Sequence, residues 1–136
     1  MPGFSLFPKC GHASLSDSAA YGQSKLALTM WSHSLAEELA SAGPVIVAVN
    51  PGSFLGTKMV REAYGSTGND VGIGVDILVR AALSEEFADA SGLYFDNDSG
   101  QFARPHPDAL DPRKCEQLMH SLDAIIRNLA SRQETS

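Results

Sequence analysis

Val45-Ile46-Val47-Ala48-Val49-Asn50-Pro51-Gly52 is the stretch on which the fold turns. An apolar, largely β-branched run of this length suits a strand covered on both faces, as in a parallel sheet. Asn50-Pro51-Gly52 closes it with a turn signal. Upstream, Ala19 to Ala42 has the spacing of a helix. Leu28, Trp31, Leu35 and Leu39 recur every three or four positions, and Glu37 and Glu38 mark a wetter side. Asp17 or Ser18 is placed to cap its start, and Gly43-Pro44 stops it. A helix, then a buried strand, then a turn is the grammar of an α/β protein.

Downstream the pattern continues. Lys58 to Ala63 predicts a short helical piece within a loop over residues 53–69, and Gly65-Ser66-Thr67-Gly68-Asn69 is flexible in composition. Asp70 caps a helix through Leu83, with Ile73, Ile77, Leu78 and Ala81 on one face. Gly92-Leu93-Tyr94-Phe95 reads as a second short strand, and Asp96-Asn97-Asp98-Ser99-Gly100 turns the chain. A polar, proline-bearing segment follows. Asp111-Pro112 opens the last helix by the cap-plus-proline rule. Its apolar face is Leu118, Leu122, Ile125, Ile126 and Leu129. Residues 1–17, broken by Pro2, Gly3, Pro8 and Gly11, read as irregular, and 132–136 as a fraying tail. The expectation is one domain with two parallel strands and three main helices.

Composition narrows the function classes. The 136 residues fit one domain, and 43% are hydrophobic, enough for a core. A formal charge of -6 with no basic stripe argues against a nucleic-acid surface. No apolar run approaches the roughly 20 residues of a membrane span, and the start lacks the basic and apolar regions of a signal peptide. Cys10 and Cys115, the two cysteines, are no disulfide framework, so a reducing cytoplasm is the default expectation.

Chemistry concentrates in Ala19-Ala20-Tyr21-Gly22-Gln23-Ser24-Lys25-Leu26-Ala27. Four residues apart on a helix, Tyr21 and Lys25 share a face, their Cβ atoms roughly 5–6 Å apart. A free phenol titrates near pH 10, at about the pKa of model tyrosines, and a neighbouring ammonium favours its ionised form. The pair is a candidate proton-transfer device. The plain alternative is a solvated lysine beside a half-buried tyrosine.

Read together, Tyr21-Gly22-Gln23-Ser24-Lys25-Leu26-Ala27, Ala36-Glu37-Glu38-Leu39, the strand Val45 to Val49 and Asn50-Pro51-Gly52 resemble the C-terminal half of the short-chain dehydrogenase/reductase family, most closely its retinol dehydrogenase-like branch. The resemblance covers about residues 18–97. It implies a partial Rossmann-like, doubly wound α/β fold and an oxidoreductase acting on an alcohol or carbonyl substrate with NAD or NADP. By the same resemblance Tyr21 is the general acid/base. Lys25 assists it and bonds the nicotinamide ribose, and Pro51 and Gly52 lie at the strand end where the cofactor sits. Thr57 is the candidate for the nicotinamide amide. It falls one place beyond the family's Pro-Gly-x-x-x-Thr spacing, where Gly56 stands. Ser5 is the candidate for the serine that holds the substrate oxygen; Ser14, Ser16 and Ser18 lie too close to Tyr21.

The family's glycine-rich pyrophosphate turn has no counterpart before Tyr21. Gly72-Ile73-Gly74 does not replace it, because Ile77 stands where the third glycine belongs and no strand precedes it. The chain therefore reads as a truncated half. That leaves a second reading: an inactive remnant or interaction domain that pairs with itself or with a complementing N-terminal half. Other signals are weaker. Asp96-x-Asp98 fails the calcium-loop pattern and reads as a turn. Cys10-x-His12 lacks a partner pair for a metal. His33 and His106 read as surface and loop residues, Cys115 as inert and half-buried, and Trp31 as core or interface.

Overall fold

The computed structural model describes residues 15–65 and 67–133. It is an α/β arrangement. Helix α1 (Asp17–Leu39) leads into strand β1 (Ala48–Asn50), followed by α2 (Lys58–Tyr64), α3 (Val71–Leu83), β2 (Tyr94–Asp96), β3 (Gln101–Ala103) and α4 (Pro112–Gln133). The sheet has the order β1-β2-β3. β1 and β2 are parallel, with Ala48 opposite Tyr94 and Asn50 opposite Asp96, and α2 and α3 make the crossover between them. β3 returns antiparallel to β2, Phe102 facing Phe95.

Local chemistry explains most boundaries. Ser16, not Asp17 or Ser18, caps α1, its hydroxyl accepting from the Ala19 N–H at 3.2 Å. The irregular start expected through residue 17 thus gives way to helix at Asp17. Ala40 takes a left-handed φ of 47° and ends α1 at Leu39, with a 3-10 turn over Ala40–Ala42. Asp70 caps α3 as expected, accepting from the Gly72 N–H at 2.9 Å. Asp111 accepts from the N–H groups of Arg113 and Lys114 at the start of α4, which stays helical to Gln133, past the expected fraying point at 132. β1 begins three residues later than its β-branched run, although Ile46 already accepts from the Gly92 N–H at 2.8 Å. β3 lies in the segment read from the sequence only as polar and proline-bearing.

Two apolar clusters hold these elements. Ile77, Phe87, Ala90 and Phe95 form one, with Val47, Val49 and Ala81 against it. Phe87, Phe95 and Phe102 meet pairwise with ring centroids 5.1–5.2 Å apart in tilted and edge-on geometry, each pair worth about 0.5–1.5 kcal/mol beyond its buried area. Arg80 stacks 5.2 Å over the Phe95 ring while its guanidinium bonds both oxygens of Glu86. The second cluster joins α1 to α4 through Met30, Ala109, Cys115 and Leu118, with Leu26, Ala27 and Leu122 packed on it. Asp108, buried, is paired with Lys114 and ties the 3-10 turn Pro107–Leu110 to α4.

The expected apolar stripes are only partly covered. On α1 the expected side is not the one that packs: Met30 and Ala36 are buried, and Met30 meets α4 roughly 200° around the helix from Leu28, which with Trp31 stays exposed. On α3 Ile77 is buried, but Ile73 and Leu78 are exposed. On α4 Leu118 is buried, whereas Ile125, Ile126 and Leu129 are exposed. Helical spacing marks which side of a helix is apolar; burial also needs an element to pack there, and among the described residues none covers these positions. No described helix is long and apolar enough to cross a membrane.

Candidate functional site

Tyr21 and Lys25 sit in the second and third turns of α1, as the Ser16 cap dictates. Lys25 Nζ lies 5.4 Å from the centroid of the Tyr21 ring, over its face. Their side chains therefore do share one side of the helix, within cation–π range. Tyr21 is about half exposed (50%), and no described residue hydrogen-bonds to its hydroxyl or to the Lys25 ammonium. Ser24 in the same turn is spent on the backbone, its hydroxyl donating to the Tyr21 carbonyl at 2.7 Å. At the far end of α1, Ala36 lies against Gly92, just before β2: a Cβ on Gly92 would stand 3.6 Å from that of Ala36. Tyr21 is fifteen residues back, about 22 Å along the axis at 1.5 Å per residue.

Pro51 and Gly52 follow directly on the C-terminal end of β1, where ligands of open α/β sheets bind. Their corner is built by a polar network that sequence reading missed. Asn50 Nδ2 donates to Asp96 Oδ1 (2.9 Å) and Asp98 Oδ2 (3.0 Å), and Asn50 Oδ1 accepts from the Gly52 N–H. Asp98 also accepts from the N–H and hydroxyl of Ser53. Asn97 Nδ2 donates to the carbonyls of Pro51 and Ile73, and its N–H donates to the Asn50 carbonyl. Ser99 Oγ bonds Asp96. These donors hold the Asp96 carboxyl below the usual carboxylate range, Ser99 first and then Asn50. Asp98 is lowered likewise, chiefly by the Ser53 hydroxyl. Asn50 and Asp96 end neighbouring parallel strands in register, a pairing that no local sequence signal shows. As a turn, Asp96 to Gly100 matches expectation, with Gly100 at a φ of 70°.

The loop after the corner is fastened at its base. Leu55 bridges Asn69, the Gly56 N–H donates to the Asn69 carbonyl at 2.7 Å, and the Asn69 N–H donates to the Phe54 carbonyl at 2.6 Å. Gly56 is buried here, and a Cβ on it would stand 2.4 Å from the Thr67 carbonyl oxygen. That is why glycine occupies the place where the resemblance leads one to expect threonine. Thr57, one residue on, caps α2; its hydroxyl accepts from the Val60 N–H at 3.4 Å. Phe54 and Tyr64 close the outer side, rings 5.1 Å apart and both exposed.

The other candidates have structural surroundings. Ser5, Ser14 and the Cys10-x-His12 pair lie outside the described residues. Cys115 is more deeply buried than expected; desolvation first pushes its thiol up, and its Sγ lies 3.6 Å from the Ala109 carbonyl. His106 caps the turn Pro107–Leu110, its Nδ1 accepting from the Asp108 N–H. His33 is 3.9 Å from Glu37 on α1.

No family model and no solved structure matches the chain. It is similar to retinol dehydrogenase 13 of Homo sapiens, 32% identical over 115 residues, a match covering 74% of this chain and 34% of that protein. The chain thus spans about a third of the length of the curated relative it matches, and the likeness supports the short-chain dehydrogenase/reductase resemblance at the level of the family.

Proposed function

We propose that this chain is a short-chain dehydrogenase/reductase polypeptide with a partial Rossmann-like sheet, and that Tyr21 and Lys25 form the acid/base end of an oxidoreductase acting on an alcohol or carbonyl. The observation that carries the reading is the Lys25 ammonium over the Tyr21 ring, on an exposed face of α1. In the oxidative direction the Tyr21 oxygen takes the proton of a substrate hydroxyl as the carbonyl forms; in reduction it returns that proton. Lys25 supplies positive charge beside the phenol while it carries negative charge. A nicotinamide, when bound, supplies or accepts the hydride.

The described residues suit one end of such a cofactor. Lys25 has donors to spare for a ribose hydroxyl, and Pro51 and Gly52 present a strand-end corner. Thr57, whose hydroxyl can donate while it accepts from Val60, stays a candidate for the amide. Among the described residues the pyrophosphate end is not met: at α3, the helix start that carries Gly72 and Gly74, the Asp70 carboxylate already holds the Gly72 N–H and would repel a phosphate. Titration of NAD and of NADP into the chain tests the reading. Saturable binding that weakens in Lys25→Ala is expected, and no binding of either at millimolar concentration contradicts it for this polypeptide.

A further inference from the structure

We propose that Asp98 is a positioning residue for the cofactor: acting through Ser53 and Asn50, it fixes the backbone of Pro51 to Ser53 in the form that receives the nicotinamide end. The inference rests on the oxidoreductase reading proposed above and adds to it the residue on which the shape of that corner depends.

Three successive residues after β1 are each held by a side chain. The Pro51 carbonyl accepts from Asn97 Nδ2 at 2.9 Å, the Gly52 N–H donates to Asn50 Oδ1 at 3.2 Å, and the Ser53 N–H donates to Asp98 Oδ1 at 2.8 Å. Asp98 acts on two of the three. Its Oδ2 accepts from the Ser53 hydroxyl at 2.5 Å and from Asn50 Nδ2 at 3.0 Å. Asn50 Nδ2 also donates to Asp96, so two carboxylates decide which way its amide is turned, and Oδ1 is left facing the Gly52 N–H. Reversing that amide would set its oxygen against both carboxylates and its NH2 group against the Gly52 N–H. Gly52 holds a φ of 133°, and a Cβ there would stand 3.3 Å from Leu55 Cδ2. A glycine has more conformations to visit than any other residue once its restraints go. Asp98 is itself anchored: its N–H donates to Asp96 Oδ1 at 3.2 Å, at the end of the strand whose register with β1 brings the two turns together.

A ligand that meets an ordered corner does not have to order it, a cost that otherwise subtracts from affinity. Asparagine at position 98 is the informative change. One amide oxygen cannot accept from both sides as two carboxylate oxygens do, so either the Ser53 N–H or Asn50 Nδ2 then faces an NH2 group.

Amide hydrogen exchange in the unliganded chain tests this, together with titration of NAD and NADP at a temperature where circular dichroism shows each protein folded. Asp98→Asn is expected to speed exchange at Gly52 and Ser53 while Ala48, bonded to Leu93 beside the strand pairing, keeps its protection. The same variant should bind cofactor about tenfold more weakly, the size of one lost hydrogen bond to a charged group, and in turnover the cofactor KM should rise by more than kcat falls. Asp108→Asn weakens the chain at its pairing with Lys114 and should leave cofactor affinity as it is, which separates positioning from a general loss of stability. Should Asp98→Asn fail to fold, Ser53→Ala removes the hydroxyl alone and should shift affinity about threefold in the same direction, the size of a neutral hydrogen bond. Unchanged exchange at Gly52 and Ser53, faster exchange with undiminished affinity, or an equal loss in Asp108→Asn overturns this proposal and leaves the oxidoreductase reading standing. Failure of the unmodified chain to bind either cofactor overturns both.

Discussion

The Pro51-Gly52 corner and the first turns of α1 carry the two halves of the candidate site, and they are built in opposite ways. The corner is held from outside itself: Asn50, Ser53, Asn97 and Asp98 bring together the ends of two strands and the loop that follows. The Tyr21–Lys25 pair is held by its own helix and by one ring–ammonium contact, with both side chains facing solvent. A corner of this kind loses stability when altered. A side-chain pair of this kind can be altered with little effect on folding, which leaves it free to serve chemistry.

Substitutions can break or sharpen that contrast. The largest stability effect is expected for Gly56→Ala. Its Cβ would drive against the Thr67 and Asn69 carbonyls, costing about 3 kcal/mol, at the upper end of overpacking penalties; chemical denaturation measures it. Asn50→Ala removes the shared donor to Asp96 and Asp98 and the acceptor of the Gly52 N–H. At this half-exposed position about 1–2 kcal/mol is expected by the same measurement. A wild-type midpoint in Asn50→Ala would show that the network does not hold the corner.

Acid should act on the corner next. Asp96 and Asp98 titrate below their usual range in the folded chain, so the folded state binds fewer protons than the unfolded one around pH 4, near the ordinary aspartate value. Their stabilisation is present above that pH and is lost as pH falls through the folded-state values. Asp98→Asn should flatten this acid limb in melting profiles taken over the same range. The smallest effect is expected on the α1 side: Tyr21→Phe should change folding stability by no more than about 0.5 kcal/mol, as for other exposed positions. A larger loss would give the phenol a structural duty.

The sequence carried the helices further than it carried the sheet. Asp70 and Asp111-Pro112 are local capping signals, and α3 and α4 start where they stand. Tyr21 and Lys25 were legible for the same reason, since four residues of helix suffice to put them together. The third strand was not legible. Gln101-Phe102-Ala103 has little strand character of its own and is drawn into the sheet by the turn at Gly100 and by Phe102 meeting Phe87 and Phe95. Nor was the corner network, because its partners are about 45 residues apart in the chain and only strand register unites them. The apolar stripes of α3 and α4 were read in place, but Ile73 and Ile125 show that a stripe does not say what covers it, and on α1 the face read from Leu28 and Trp31 is not the one that packs, since Met30 is buried on the other side from Leu28.

Turnover of a panel of primary and secondary alcohols with NAD and NADP, followed by nicotinamide absorbance in the wild-type chain and in Tyr21→Phe, tests the central claim most directly. The account predicts measurable oxidation that falls by about 10²–10⁴-fold when the phenolic hydroxyl is removed, with folding unaffected. Equal rates in the two proteins would contradict it and take Tyr21 out of the chemistry.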